Sequence, residues 1–281
     1  MPEGHTLRRL AQQLQAAFAG STPEITSPQG RFHDGAALLN GQQFVRAWNH
    51  GKLLFCEFED ERTLYVHLGL IGKFPIVTVP IEDGDPPAAG PARLRIALEH
   101  GSGRTIARLY GPMTATVIEP EEIASLLSRQ GPDPLDPEAD PDAAWAAVHA
   151  SGRSIGALLM DQKILAGVGN VYRCEILFRN RINPATPGSK LKRGSWEAIW
   201  ADLVDLMAVG VKVGRIVTDA EELEDIRLSL ARGEPVQQHV ERIAYVYQRT
   251  NQPCRMCGSK IRTATVAGRN LFWCGNCQRR H

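Results

Sequence analysis

Cys254-Arg255-Met256-Cys257 and Cys274-Gly275-Asn276-Cys277 stand near the end of this 281-residue chain. Each pair can present two thiolates from one tight knuckle, and sixteen residues separate the two knuckles. Two such knuckles complete a tetrahedral site for one Zn²⁺ ion. The intervening segment reads as a hairpin, Ile261 to Val266, then Ala267-Gly268, then Asn270 to Trp273. A ribbon of this size has too little core to fold alone, so the metal would supply its folding energy. Four protein ligands leave no open position, which makes the zinc structural rather than catalytic. A redox dithiol or a disulfide pair is the competing reading; ribbon spacing and the lack of a secretory pattern weigh against it. Cys56 and Cys174 stand apart and read as small core hydrophobes.

Outward from the ribbon, the charge is uneven. Arg242, Arg249, Arg255, Lys260, Arg262, Arg269, Arg279 and Arg280 fall between 242 and 281, with no Asp or Glu among them. Acids gather elsewhere: Glu119, Glu121, Glu122, Asp133, Asp136, Glu138, Asp140 and Asp142 in one cluster, Asp219, Glu221, Glu222, Glu224 and Asp225 in another. A polyanion-facing side would produce this asymmetry, and so would solvated faces that happen to segregate. The formal net charge of +1 excludes a wholly basic nucleic-acid coat but not a local basic face. With 43% hydrophobic and 22% charged residues the chain is expected to fold. No apolar run reaches the roughly 18 residues of a membrane span. The start, Met1-Pro2-Glu3-Gly4-His5-Thr6, lacks a basic stretch followed by an apolar core, so no signal peptide is expected.

Further upstream the pattern is helical over Ala143 to Ala150, Ile155 to Ala166, Val171 to Phe178 and Trp196 to Val213. A Pro- and acid-rich linker precedes it, Gly131-Pro132-Asp133-Pro134-Leu135-Asp136-Pro137 and on to Asp142. From Gln43 to Ile118 short β-like runs alternate with Gly/Pro/Asp punctuation, among them Leu53 to Phe55, Thr63 to Leu68, Phe74 to Val79, Leu94 to Leu98 and Thr114 to Ile118. These predict an antiparallel sandwich or barrel. Leu7, Leu10, Leu14 and Phe18 predict an amphipathic helix over residues 2 to 18. The expected class is α+β and multidomain: an N-terminal helix with an antiparallel β-sandwich over 1–120, a linker over 121–142, a helical domain over 143–245, and a zinc ribbon over 246–281.

Two features carry chemistry. A small second residue normally permits removal of the initiator methionine, which would leave Pro2 with a free secondary amine. An α-amine has a pKa of roughly 7.7–8.0, so a useful neutral fraction exists near neutrality. The positive end of the helix it begins favours that neutral form. Such an amine can attack a carbonyl-level carbon and form an iminium, with Glu3 beside it to shuttle protons. Most Met-Pro starts are merely helix starts, so these two residues do not decide the matter alone. The second feature is Ala166-Gly167-Val168-Gly169-Asn170, a glycine-rich turn between helices. Its backbone N–H groups and Asn170 can approach a phosphate at a helix start. A dinucleotide fingerprint fails because no strand precedes these glycines; an ordinary inter-helix loop remains the other reading.

With these residues in view, the chain resembles the formamidopyrimidine-DNA glycosylase/endonuclease VIII family of bifunctional base-excision enzymes. The likeness rests on Met1-Pro2-Glu3-Gly4, Asn49-His50-Gly51-Lys52, His67-Leu68-Gly69-Leu70-Ile71-Gly72, Gly131 to Leu135, Leu158 to Tyr172, Phe178 to Pro184 and the four cysteines. These blocks run in family order across essentially the whole chain. The resemblance implies a β-sandwich, a helix–two-turn–helix domain and a zinc-finger hairpin. It implies removal of oxidised bases from double-stranded DNA, and cutting at abasic sites, through a Schiff base followed by β- and δ-elimination. Pro2 would be the nucleophile, Glu3 the acid/base, and Lys52 the lysine that contacts phosphate near the lesion. Asn170 and Arg269 would grip phosphates around an everted nucleotide, and Leu70 with Ile71 would fill the vacancy in the stack. For Leu70 the competing reading is a buried strand residue. Nothing demands more than a monomer, no membrane partner is implied, and the expected compartment is the cytoplasm, nucleoid-associated if prokaryotic.

Thr6 stands where many relatives carry a glutamate tied to the active-site hydrogen-bond network, a departure from the family pattern. Ala107-Arg108-Leu109-Tyr110-Gly111 does not reproduce the Arg-Phe pair of the 8-oxoguanine-directed branch. Together with the Pro-Glu-Gly start, this tilts the reading towards the endonuclease VIII-like branch and oxidised pyrimidines. Glu175 is expected to anchor the helical domain, in a structural role or close to the site. The rivals are an 8-oxoguanine or formamidopyrimidine preference, a non-catalytic binder of damaged DNA, and a generic zinc ribbon for RNA or protein.

Overall fold

A computed structural model describes residues 2–111, 114–236 and 243–279, in two compact units, Met1–Arg129 and Gln130–His281. Met1, Arg242 and Arg280, on which the N-terminal and charge readings lean, lie outside the described residues.

The first unit opens with α1 (Gly4–Phe18), which buries Leu7, Leu10, Ala11, Leu14 and Phe18 along one face. That spacing of three and four is the stripe visible in the sequence. Two four-stranded antiparallel sheets follow. One has the order β1 (Glu24–Thr26), β6 (Leu94–His100), β7 (Gly103–Leu109), β5 (Ile76–Pro80). The other runs β2 (Phe44–His50), β3 (Leu53–Phe58), β4 (Thr63–His67), β8 (Thr114–Ile118). Inner side chains of both sheets, including Phe44, Leu54, Leu64, Val66, Leu94, Ile96 and Leu109, form one core with the α1 stripe. This is the expected sandwich. A short α2 (His33–Leu39), unanticipated from sequence, adds Ala36 and Leu39 to that core.

The stretch read as a linker begins with a helix, α3 (Pro120–Leu127). Its Ile123, Leu126 and Leu127 lie against Leu53, Phe55 and Ile118 on the outer face of the second sheet. That cover explains why β3 is apolar on both faces. The acids there have local work: Glu119 and Glu122 form a capping box for α3, and Asp133 and Asp136 accept the backbone N–H groups of Leu135 and Glu138.

In the second unit, α4 (Pro141–His149), α6 (Asn170–Arg179) and α7 (Arg193–Val213) surround Tyr172, Trp196, Ile199, Leu203 and Leu206. The helix expected over Ile155 to Ala166 forms only as α5 (Ile155–Leu158). Beyond it, backbone groups find non-helical partners: Gly131 donates to the Gln162 carbonyl at 2.8 Å and Ala166 to the Pro132 carbonyl at 3.0 Å. Asp161 accepts from the Lys163 N–H, a local alternative to the helical ladder. The second acidic cluster is the start of α8 (Ala220–Ala231), where Asp219 caps and acids suit the positive end. The hairpin β9 (Ile261–Val266) and β10 (Arg269–Cys274) packs Leu271 and Phe272 beside Cys174 and Phe178 of α6. No helix among the described residues is long and apolar enough to cross a membrane.

Candidate functional site

In the first unit, Glu3 is the N-cap of α1, extended at φ −121° and ψ 176°. Its carbonyl accepts the Thr6 N–H at 2.8 Å, and the residue is wholly buried. Pro2 lines a hollow of about 850 Å³, whose wall includes Thr6, Arg9 and Gln13 of α1 and the loop from Leu68 to Pro75. That loop doubles back tightly: the Gly72 N–H reaches the Leu68 carbonyl at 3.0 Å. A Cβ on Gly72 would sit 2.4 Å from the same oxygen, so only glycine closes this turn. At its apex Leu70 is 49% and Ile71 79% exposed, which excludes the buried-strand reading of Leu70. Thr6 Oγ1 lies 3.2 Å from His5 Nε2, so the hydroxyl is tied to an imidazole.

Lys52 sits in the β2–β3 turn, outside the lining of that hollow. Asn49, nearly buried, donates from Nδ2 to the Gly51 carbonyl at 3.1 Å and fixes the turn that presents the lysine. Burial, and then the positive charge of Lys52, hold the His67 imidazole below its ordinary range. The structure therefore brings Pro2, Thr6 and Leu70 onto one hollow and sets Lys52 near His67.

In the second unit, Asn170 is the first residue of α6 and is 5% exposed. Gly167 in the preceding turn has φ +84°, a conformation favouring glycine. Gln162 staples the turn, accepting from the Gly167 N–H at 3.0 Å and donating to the Val168 carbonyl at 3.0 Å. Asn170 Nδ2 donates to the Asn270 carbonyl of β10 at 2.9 Å. Arg269 opens β10 and is exposed, just past a tip at which Ala267 and Gly268 both have positive φ. Helix start and hairpin tip are thus joined. Glu175, by contrast, is wholly buried: it accepts the Thr218 hydroxyl and the N–H groups of Tyr245, Val246 and Tyr247. Its work is structural, anchoring the segment that leads into the ribbon.

The sulfurs of Cys254, Cys257, Cys274 and Cys277 all lie within 4.8 Å of one another. Separations of 3.9 Å for Cys254–Cys277 and 3.5 Å for Cys257–Cys274 bracket the ~3.8 Å edge of a tetrahedron with 2.3 Å Zn–S bonds. Hydrogen bonds from Asn276 and then Ser259 bring the Cys257 thiol down to about 5, whereas burial raises those of Cys254 and Cys277. Cys56 and Cys174 are buried, and desolvation raises both thiols, Cys174 to about 12, in keeping with inert core residues.

Asn49, Gln162 and His67 stand inside the blocks that carry the sequence resemblance but received no individual role, and Arg173 lies just beyond them, its signal being its position one helical turn after Asn170.

Three family models match the chain: the formamidopyrimidine-DNA glycosylase N-terminal domain over residues 1–110, the H2TH domain of the same enzymes over 130–222, and the zinc finger found in FPG and IleRS over 251–280. Endonuclease 8 1 of Mycobacterium bovis is 44% identical over 279 residues, covering 99% of this chain and 100% of the relative. The formamidopyrimidine-DNA glycosylase of Methylococcus capsulatus is 31% identical over 250 residues, 86% of this chain and 84% of that one. A solved structure of MutM in complex with carbocyclic 8-oxo-G containing DNA shares the fold, with a TM-score of 0.77 at 24% identity over 99% of this chain and all of that one. The chain belongs to the formamidopyrimidine-DNA glycosylase/endonuclease VIII family.

Proposed function

We propose that this protein is a bifunctional DNA glycosylase and abasic-site lyase of base excision repair, acting on double-stranded DNA through Pro2. The observation that carries the reading is Pro2 at the mouth of α1, on a hollow whose rim bears the exposed Leu70 and Ile71. With Met1 removed, the Pro2 nitrogen attacks C1′ of the damaged nucleotide and the glycosidic bond breaks; its electron pair leaves with the base, which takes up the proton that the Pro2 nitrogen gives up. Glu3 supplies a proton to the deoxyribose ring oxygen. Opening of the sugar leaves an iminium, which acidifies the C2′ proton. Loss of that proton expels the 3′ phosphate, a second elimination expels the 5′ phosphate, and water then frees Pro2. Lys52 contacts a phosphate near the lesion, and Asn170 with Arg269 grip those around the everted nucleotide. One structural zinc, held by Cys254, Cys257, Cys274 and Cys277, folds the hairpin that carries Arg269.

The favoured substrates are oxidised pyrimidines, supported by the higher identity to a relative named endonuclease 8. A preference for 8-oxoguanine and formamidopyrimidines is the second reading, supported by the relative named for the latter. Borohydride should trap a covalent adduct with an abasic duplex, and Pro2→Gly should abolish it. Absence of an adduct from wild-type protein with a mature N-terminus would overturn the enzyme reading. Strand cutting on a panel of single-lesion duplexes decides the base preference.

A further inference from the structure

Arg173 is absent from every role above, yet it is a wholly buried guanidinium in the second unit. It points from the first turn of α6 at three neutral oxygens on three different segments. Its Nη1 donates to the Gly156 carbonyl at 3.1 Å, at the start of α5, and to the Val266 carbonyl at 3.0 Å, the last residue of β9. Its Nη2 donates to Oδ1 of Asn170. A buried arginine is costly unless its donors are met, and the planar fork can meet several acceptors only in one arrangement.

That arrangement has a consequence for Asn170. With Oδ1 engaged by a cation that can only donate, the amide cannot flip, and Nδ2 must face the hairpin. One of its two N–H groups goes to the Asn270 carbonyl. The other remains for an anion. The same guanidinium holds Val266, directly opposite Arg269 in the hairpin register, so the carbonyl that ends β9 and the amide that opens α6 share one anchor.

We infer that Arg173 is a positioning residue for phosphate binding, coupling the orientation of Asn170 to the placement of the hairpin tip that presents Arg269. This rests on the reading of Asn170 and Arg269 as phosphate-gripping residues. It predicts that the two grips are energetically linked rather than independent.

The test is a double-mutant cycle on the zinc-loaded full chain with a duplex carrying an uncleavable abasic analogue. Arg269→Ala should weaken binding and lower the slope of log K against log salt by about one. Arg173→Met should weaken binding at least about tenfold and lower the slope likewise. The double variant should bind no more than about twofold worse than the weaker single variant. Zinc content and the thermal midpoint are read alongside, because a merely structural arginine would depress both while leaving the salt slope intact. If Arg173→Met does not fold, Arg173→Lys, which keeps the charge and loses the fork, carries the same cycle. Multiplying losses, or native binding and slope in a folded Arg173 variant, would overturn the inference. Native binding by both Arg269→Ala and Asn170→Ala would instead sink the phosphate-grip reading beneath it.

Discussion

Several side chains here act on their neighbours' geometry rather than on a ligand. Glu175 is the plainest case: four donors converge on one buried carboxylate, three of them consecutive backbone N–H groups. Glu175→Gln exchanges an acceptor oxygen for an NH₂ that faces those donors. A loss of about 2–4 kcal/mol is expected in urea unfolding, since buried donors are left unpaired. A loss below half a kcal/mol would mean the segment 245–247 is held by its packing alone. His67 makes a second case, with the sign set by its depressed pKa. As pH falls through roughly 6.5 the unfolded chain takes up a proton before the folded one does, so this residue's contribution is intact above that range and lost below it. His67→Gln should therefore flatten the fall in stability between pH 7 and pH 5, by under about 1 kcal/mol because the ring is only partly buried. An unchanged pH profile would contradict the desolvation of the ring, to which the charge of Lys52 adds the smaller part.

The sheet containing β6 and β7 has its own electrostatic problem. Arg95 and Arg108 are directly opposed across the two strands, and like charges so placed repel. Asp85, from the loop before β6, accepts from Arg95 at 2.9 Å, Arg104 at 3.0 Å and Arg108 at 3.1 Å. These bonds, that from Arg95 foremost, bring its carboxyl down to about 2. The stabilisation is complete above the unfolded value near 3.9 and is lost as pH falls towards 2. Asp85→Asn should cost about 1–2 kcal/mol at pH 7, more than an isolated surface pair because one carboxylate bridges three cations, of which Arg95 keeps Glu24 and Arg104 keeps Glu99 as a second partner. The gap between variant and native protein should close between pH 5 and pH 2; a gap that persists at pH 2 would show that the loop is held by something other than charge. The stretch Glu82-Asp83-Gly84-Asp85-Pro86-Pro87 belongs to the Gly/Pro/Asp punctuation readable between the strands. Its role as the neutraliser of two facing arginines was not readable, because strand register brings those arginines together.

For the whole chain, folding of the hairpin and binding of nucleic acid should fail together when zinc is withdrawn. Of the six cysteines, Cys56 is buried in the core of the first unit, whereas Cys174 is buried beneath the hairpin, where the Phe272 N–H reaches its sulfur. Chelation should then expose five thiols to a titrating reagent, release one zinc per chain, and abolish binding to an abasic-analogue duplex. The melting of the first unit, which has its own core, should be unaffected. Six reactive thiols would mean that the metal supports more of the molecule than its hairpin. Binding should also fall steeply with salt in the loaded protein, since phosphates release counterions when gripped.

What local sequence could determine, it did: the α1 stripe, the alternating strands, the paired cysteines and the hairpin tip are patterns of neighbours within a few residues. The full helix expected over Ile155 to Ala166 failed where backbone partners came from Gly131 and Pro132, some thirty positions away. The same limit hid Arg173, whose acceptors lie on α5, α6 and β9. Short-range periodicity sets which face of an element is apolar. Only the folded chain decides which distant carbonyl or carboxylate a buried polar group must meet, because that choice depends on contacts between segments far apart in sequence.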